Sequence, residues 1–144
     1  MMLKHYENLL IADAIAAKSK DPRTKVGALL VGAQGEGGPW GYNGLPRGIP
    51  EPPERWQRPA KYARVCHAEA NALIAAARTG WPTLGAGLVV TMYTCAECAK
   101  LIIQAGIRYV VTRTSNCARW AESHALATEM LGEAGIAIIT VEEL

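Results

Sequence analysis

The sequence predicts an α/β fold, a three-layer α/β/α sandwich around a five-stranded mixed sheet. Helix-like and strand-like segments alternate along the chain. The second half reads strand-helix-strand-helix-strand, and a glycine-rich hairpin precedes it. The alternation implies parallel pairing with right-handed crossovers in the second half.

Taken in order, residues 3–18 read as a first helix. It ends ahead of Asp21-Pro22, because the residue before a proline disfavours helix. Residues 26–31, Val-Gly-Ala-Leu-Leu-Val, read as a strand, residues 35–38 as a turn, and Trp40-Gly41-Tyr42 as the second strand of a hairpin. Residues 43–64 are proline-rich and irregular, a length of loop that in a compact domain marks function or mobility. An alanine-rich helix follows over residues 67–78, stopped by Gly80 and Pro82. Residues 88–92 form a strand, and residues 95–105 a helix with Gly106 as its C-terminal stop. Residues 108–112 form a strand, residues 118–134 a helix closed by Gly135, and residues 136–141 the last strand.

Bulk properties narrow the function classes. The 144 residues are the size of one domain, expected to span 1–144. Half of them are hydrophobic and 19% charged, which argues against disorder. A net charge of +2 supplies no footprint for duplex nucleic acid, and basic and aromatic residues are not interleaved, so a nucleic-acid editor is disfavoured. No segment reads as a signal peptide or membrane span, and the expectation is a cytoplasmic protein without membrane or nucleic-acid partners. In that compartment the four cysteines point to metal binding or burial rather than disulfides.

Two short motifs carry the chemistry, His67-Ala68-Glu69 and Cys95-Ala96-Glu97-Cys98. Each stands at the start of an expected helix. Cys95 and Cys98 are three apart, so both sulfurs point the same way on a first helical turn. The electropositive helix N-terminus favours thiolate. Imidazole plus two thiolates suits Zn²⁺, and three protein ligands leave a fourth position open, as a catalytic site requires. Water bound there would fall from a pKa of about 15.7 towards about 7. Glu69 would lie beside that water without being a ligand. The competing readings are a redox pair, or a structural zinc site whose fourth ligand comes from Cys66, Cys117, His5 or His124. For Cys66 and Cys117, burial without chemistry is expected.

His-x-Glu followed by Cys-x-x-Cys resembles the signature of zinc-dependent nucleobase deaminases. More of the chain is similar to their deoxycytidylate (dCMP) deaminase branch, over residues 19–107. The matching pieces are Ser19-Lys20-Asp21-Pro22, Lys25-Val26-Gly27-Ala28, Gly41-Tyr42-Asn43-Gly44-Leu45-Pro46, the run from His67 to Ala72, and the run from Cys98 to Ile107. Thr94 stands where that signature usually has proline. With Glu97 it is expected to form a capping box on the helix that follows.

The resemblance implies hydrolysis of dCMP to dUMP and ammonia, supplying dUMP for thymidylate synthesis. Activated water would attack C4, with Glu69 serving as base and then as acid. It implies that Asn43 contacts the sugar, against a reading as an Asn-Gly turn residue. The main chain of Ala68 and of Tyr93 would hold the base edge and the amine. A phosphate needs cations, and Arg23 and Lys25 are the candidates beside the first strand, with Arg47 in the long loop; solvated surface charge is the alternative for all three. Tyr62 is a lid residue or loop packing. Trp120, Leu126, Met130 and Leu131 read as core or subunit interface. Homo-oligomers, often hexamers, and regulation by dCTP and dTTP, with Mg²⁺ accompanying the nucleotide effector, are further implications, and Gly44 matches a glycine associated with that response. The alternatives are deamination of a 5-substituted dCMP, of a nucleoside or of a nucleoside-like antibiotic, or a non-catalytic zinc- and nucleotide-binding assembly module.

Overall fold

The computed structural model describes residues 2–142. Its elements are α1 (Met2–Ala16), β1 (Gly27–Val31), β2 (Gly37–Tyr42), α2 (Ala60–Arg64), α3 (Ala68–Thr79), β3 (Gly87–Val90), α4 (Ala96–Gln104), β4 (Tyr109–Thr112), α5 (Ala121–Glu133) and β5 (Ala137–Thr140), with 3₁₀ turns at Pro53–Trp56 and Ala118–Trp120. The sheet order is β2-β1-β3-β4-β5. β1 runs antiparallel to both β2 and β3, while β3, β4 and β5 are mutually parallel. The expected five-stranded mixed sheet is therefore present.

The pleat explains the layers. Successive residues on a strand face opposite sides. Ala28, Leu30, Leu88, Val90 and Val110 pack with Ala68, Ala72 and Ala76 of α3, Ala99 and Ile102 of α4, and Ala127 and Leu131 of α5. The intervening Leu29, Val31, Val89 and Val111 pack with Leu9, Ala12 and Ile15 of α1. Central strands buried on both faces read as unbroken apolar runs, which is why β1 and β3 stood out. No helix among the described residues is long and apolar enough to cross a membrane.

Beyond shifts of one or two residues at element ends, three segments differ from expectation for local reasons. Gly37 and Gly38 belong to β2 rather than to the turn. The Gly32 amide bonds the Glu36 carbonyl at 2.9 Å, so the hairpin closes earlier, with Val31 opposite Gly37. Residues 118–134 are not one helix: a 3₁₀ turn at Ala118–Trp120 leads into α5. The segment 43–64 is not wholly irregular, since it carries the 3₁₀ turn at Pro53–Trp56 and α2.

Contacts around Gly41 set β2 against α3. A Cβ at Gly41 would lie 2.5 Å from the Ala72 nitrogen and 2.8 Å from the Ala68 carbonyl. Only glycine allows the edge strand to approach the first turns of α3 this closely. Asn71 fastens the junction by donating to the Tyr42 carbonyl at 2.8 Å. A two-bond bridge between Gly44 and Cys66 extends it, with N···O distances of 3.0 and 2.7 Å.

Candidate metal and catalytic site

His67 is the N-cap of α3 and Cys95 the N-cap of α4, while Cys98 lies in the first turn of α4. The two helix starts meet. His67 Nδ1 is 3.4 Å from Cys95 Sγ and 3.4 Å from Cys98 Sγ. All three ligand atoms lie within 4.8 Å of one another. Tetrahedral zinc, with bonds of about 2.3 Å to sulfur and about 2.0 Å to nitrogen, sets such an S···N edge at roughly 3.5 Å. The donors thus already stand at the spacing zinc requires. No fourth His, Cys, Asp or Glu joins this group among the described residues, so a closed structural site is not built here. Cys66 and Cys117 are half-buried free thiols outside it.

The electrostatics match metal chemistry. The Cys98 thiol and the His67 ring hydrogen-bond to Cys95 and, against burial, draw its pKa down to about 4. Cys98, sharing a hydrogen bond with Cys95 and itself buried, keeps its proton and is pushed up. The Ala70 amide, in the first turn of α3, points at the Cys98 sulfur and works in the opposite sense. His67 is raised chiefly by its bond to Cys95, with burial and the Lys61 charge opposing. A proton shared by two buried thiols is what a thiophilic cation displaces.

Glu69 is buried in the first turn of α3 and belongs to no ligand group. Burial pushes its carboxyl above the ordinary range. Thr94 donates to Glu69 Oε2 at 3.0 Å. This corrects the expected capping box: the N-cap of α4 is Cys95 without a side-chain cap, and Glu97 pairs with Lys100 at 2.9 Å. The missing cap comes from α5, where Ser123 Oγ accepts the Ala96 amide at 2.9 Å.

A cleft of about 630 Å³, its open mouth included, descends to this cluster. Its wall includes Asn43, Ala68 and Tyr93, as well as Tyr62. Asn43 is no turn residue. It is 6% exposed, accepts the Val26 amide on Oδ1 at 2.8 Å, and donates to the Thr24 carbonyl at 2.8 Å and to Asp21 Oδ2 at 3.4 Å. Arg23 and Lys25 are exposed and outside the wall, and the Lys25 ammonium donates to the Ser19 carbonyl. Arg47 lines a second cleft. Trp120 is a wall residue rather than core, edge-on to Tyr62 with ring centroids 6.3 Å apart. Leu131 is core and Leu126 is exposed.

Two further wall residues, Lys61 and His124, had no expected role towards a substrate. Lys61 is buried and paired with Asp21 at 2.9 Å. His124, 3% exposed, bonds Ser115 Oγ at 2.6 Å and lies 5.1 Å from the Tyr93 ring, centroid to centroid. His124 was expected only as a possible fourth ligand of a structural zinc site, and it lies outside the donor group.

Comparison with known proteins agrees with this geometry. The family profile described as "Cytidine and deoxycytidylate deaminase zinc-binding region" matches residues 2–114. The deoxycytidylate deaminase of Homo sapiens is 40% identical over 109 residues, 72% of this chain and 60% of that protein. The chain thus spans about three-fifths of the mammalian relatives it matches. An uncharacterized deaminase of Aliivibrio fischeri, from the luxG 3' region, is 33% identical over 131 residues, 89% of this chain and 86% of that one. Among solved structures, the dCMP deaminase of cyanophage S-TIM5, in complex with dCMP and dUMP, superposes with a TM-score of 0.78 at 28% identity, over 94% of this chain and 95% of that one.

Proposed function

This chain belongs to the cytidine and deoxycytidylate deaminase family, and on that premise we propose that it hydrolyses dCMP to dUMP and ammonia. The observation that carries the reading is Glu69: an acid with a raised pKa, buried beside a three-donor metal set at the floor of a cleft. A structural site has no use for such a group.

Zinc held by His67, Cys95 and Cys98 would supply the Lewis acidity that makes water nucleophilic at neutral pH. Glu69 then takes one proton from the attacking water and delivers it to N3 as the C4–O bond forms. It carries the second oxygen proton to the amine, C4–N breaks, and ammonia leaves with C4=O in place. A raised carboxyl pKa suits a group that must both accept and release a proton near neutrality. Thr94 holds the Glu69 carboxylate in place. The Ala68 and Tyr93 main chain is proposed to grip the base edge and the amine. Asn43 Oδ1, which keeps a lone pair beyond the Val26 bond, is proposed to accept from the sugar. Arg23 and Lys25, exposed on the loop that carries Asp21 and Thr24 into the wall, steer an anionic substrate. The product supplies thymidylate synthesis, and the free thiols suit a cytoplasmic setting.

Regulation extends the proposal. The second cleft shares Asn43 and is lined by Gly44, Arg47, Arg78 and the Lys20–Glu51 ion pair, a net basic setting for dCTP or dTTP with Mg²⁺. Exposed Trp40 and Ile74 beside it suit a homo-oligomer, a hexamer by family likeness.

The test is ammonia release by zinc-loaded protein from dCMP, deoxycytidine, dCTP and 5-substituted dCMP. The expected preference is dCMP, with Glu69→Gln slower by about 10³-fold. Bound zinc with no ammonia from any cytosine compound would leave the non-catalytic module as the better reading.

A further inference from the structure

The cleft wall holds a buried cation that the deamination chemistry does not use. Lys61 is 5% exposed and lines the same cleft as His67 and Glu69. α2 carries it there, one residue before Tyr62. An ammonium has three N–H donors. One meets Asp21 Oδ2 at 2.9 Å, and the Tyr62 ring centroid lies 5.8 Å from Nζ. No other hydrogen-bond partner of Nζ occurs among the described residues.

Asp21 fixes where that ammonium stands. Its Oδ1 accepts the Arg23 amide at 2.9 Å and the Thr24 amide at 3.2 Å. Its Oδ2 is shared between Lys61 and the Asn43 amide. The carboxylate is anchored from four directions, and the lysine held on it has donors left for a second acceptor. Burying an ammonium with N–H groups unpaired is unfavourable, and an anionic acceptor in the cleft would pair them with matched charge. The other cation in the wall, Arg119, is exposed.

We propose that Lys61, positioned by Asp21, binds the substrate's 5′-phosphate and makes the site selective for the nucleotide over the nucleoside. This rests on the cytosine-nucleotide reading above. Asp21 acts through Lys61 and is a positioning residue.

The experiment compares zinc-loaded wild type, Lys61→Met and the double variant Asp21→Asn/Lys61→Met. The double variant removes both buried charges together, so an unpaired carboxylate cannot unfold the protein and mimic the result. For each, kcat/KM is measured for dCMP and for deoxycytidine, and affinity for dUMP and deoxyuridine by calorimetry. The dCMP-to-deoxycytidine ratio should fall about 10- to 100-fold in both variants, through KM rather than kcat, and the dUMP-to-deoxyuridine affinity ratio should fall alongside it. Unchanged ratios, with both substrates losing equally, would reduce Lys61 to a loop clasp and overturn the inference. If the wild type deaminates no cytosine compound, the functional reading falls. The two affinities then decide on Lys61 alone: a dUMP preference lost in the variants supports it, and none in the wild type overturns it.

Discussion

The metal-binding side of the cleft and its polar side are assembled differently. His67, Glu69, Cys95 and Cys98 come from two helix starts, each set by a handful of consecutive residues. Asp21, Asn43 and Lys61 come from three separate stretches, with Lys61 forty residues from Asp21. The first side is stiffened by helix backbone and by contacts between helices. The second depends on one buried carboxylate that four groups share. The metal donors and the proposed acid-base group therefore stand on regular elements, while the proposed substrate contacts gather around a polar hub.

Asp21→Asn is the variant that should separate the two sides most. Burial opposes the Asp21 charge, but the Arg23 amide, the Lys61 ammonium and the Thr24 amide together hold its carboxyl below the usual range. Removing the carboxylate leaves Lys61 buried and unpaired, at an expected loss of about 3 kcal/mol at neutral pH. A depressed native pKa means the stabilisation is complete above the unfolded value of about 4 and is lost as pH falls through the native one. Urea unfolding curves of the two proteins should thus diverge at pH 7 and converge on acidification. Zinc content should remain that of the wild type. A parallel loss of zinc would merge the two sides into one unit.

Ser123→Ala tests the metal-binding side. Ser123 is the side-chain partner of the Ala96 amide, so its loss should lower stability by about 1 kcal/mol and speed zinc release to a chelator. Unaltered release would mean that α4 holds Cys98 without help from α5. Lys100→Ala should do least, below about 0.5 kcal/mol in a thermal melt, because its partner Glu97 is solvent-exposed although it neighbours Cys98.

This contrast also explains what could be read from the residues alone. The metal donors and Glu69 sit within two short motifs, and the strands and long helices follow from apolar runs and from glycine and proline stops. Lys61 carried no such mark, because its burial depends on Asp21, far away in the chain. Thr94 was misread for the same reason. A threonine three residues before a glutamate is a local capping signal, but Glu69, 25 residues earlier, takes the hydroxyl. Trp120 looked like core because apolar character cannot distinguish packing from the lining of a cleft. The segment around Trp120 turns from 3₁₀ into α5 without a side-chain cap, so nothing in its sequence announced the break.

Gly41 has a practical consequence for redesign. The α3 backbone occupies the space that a methyl group on Gly41 of β2 would need. The strand therefore acts as a fixed datum, and an engineer seeking a new substrate cannot gain room by shifting it. Room for editing begins at the Gly44–Cys66 bridge, where the chain leaves the helix and where a Cβ at Gly44 meets nothing within 4 Å.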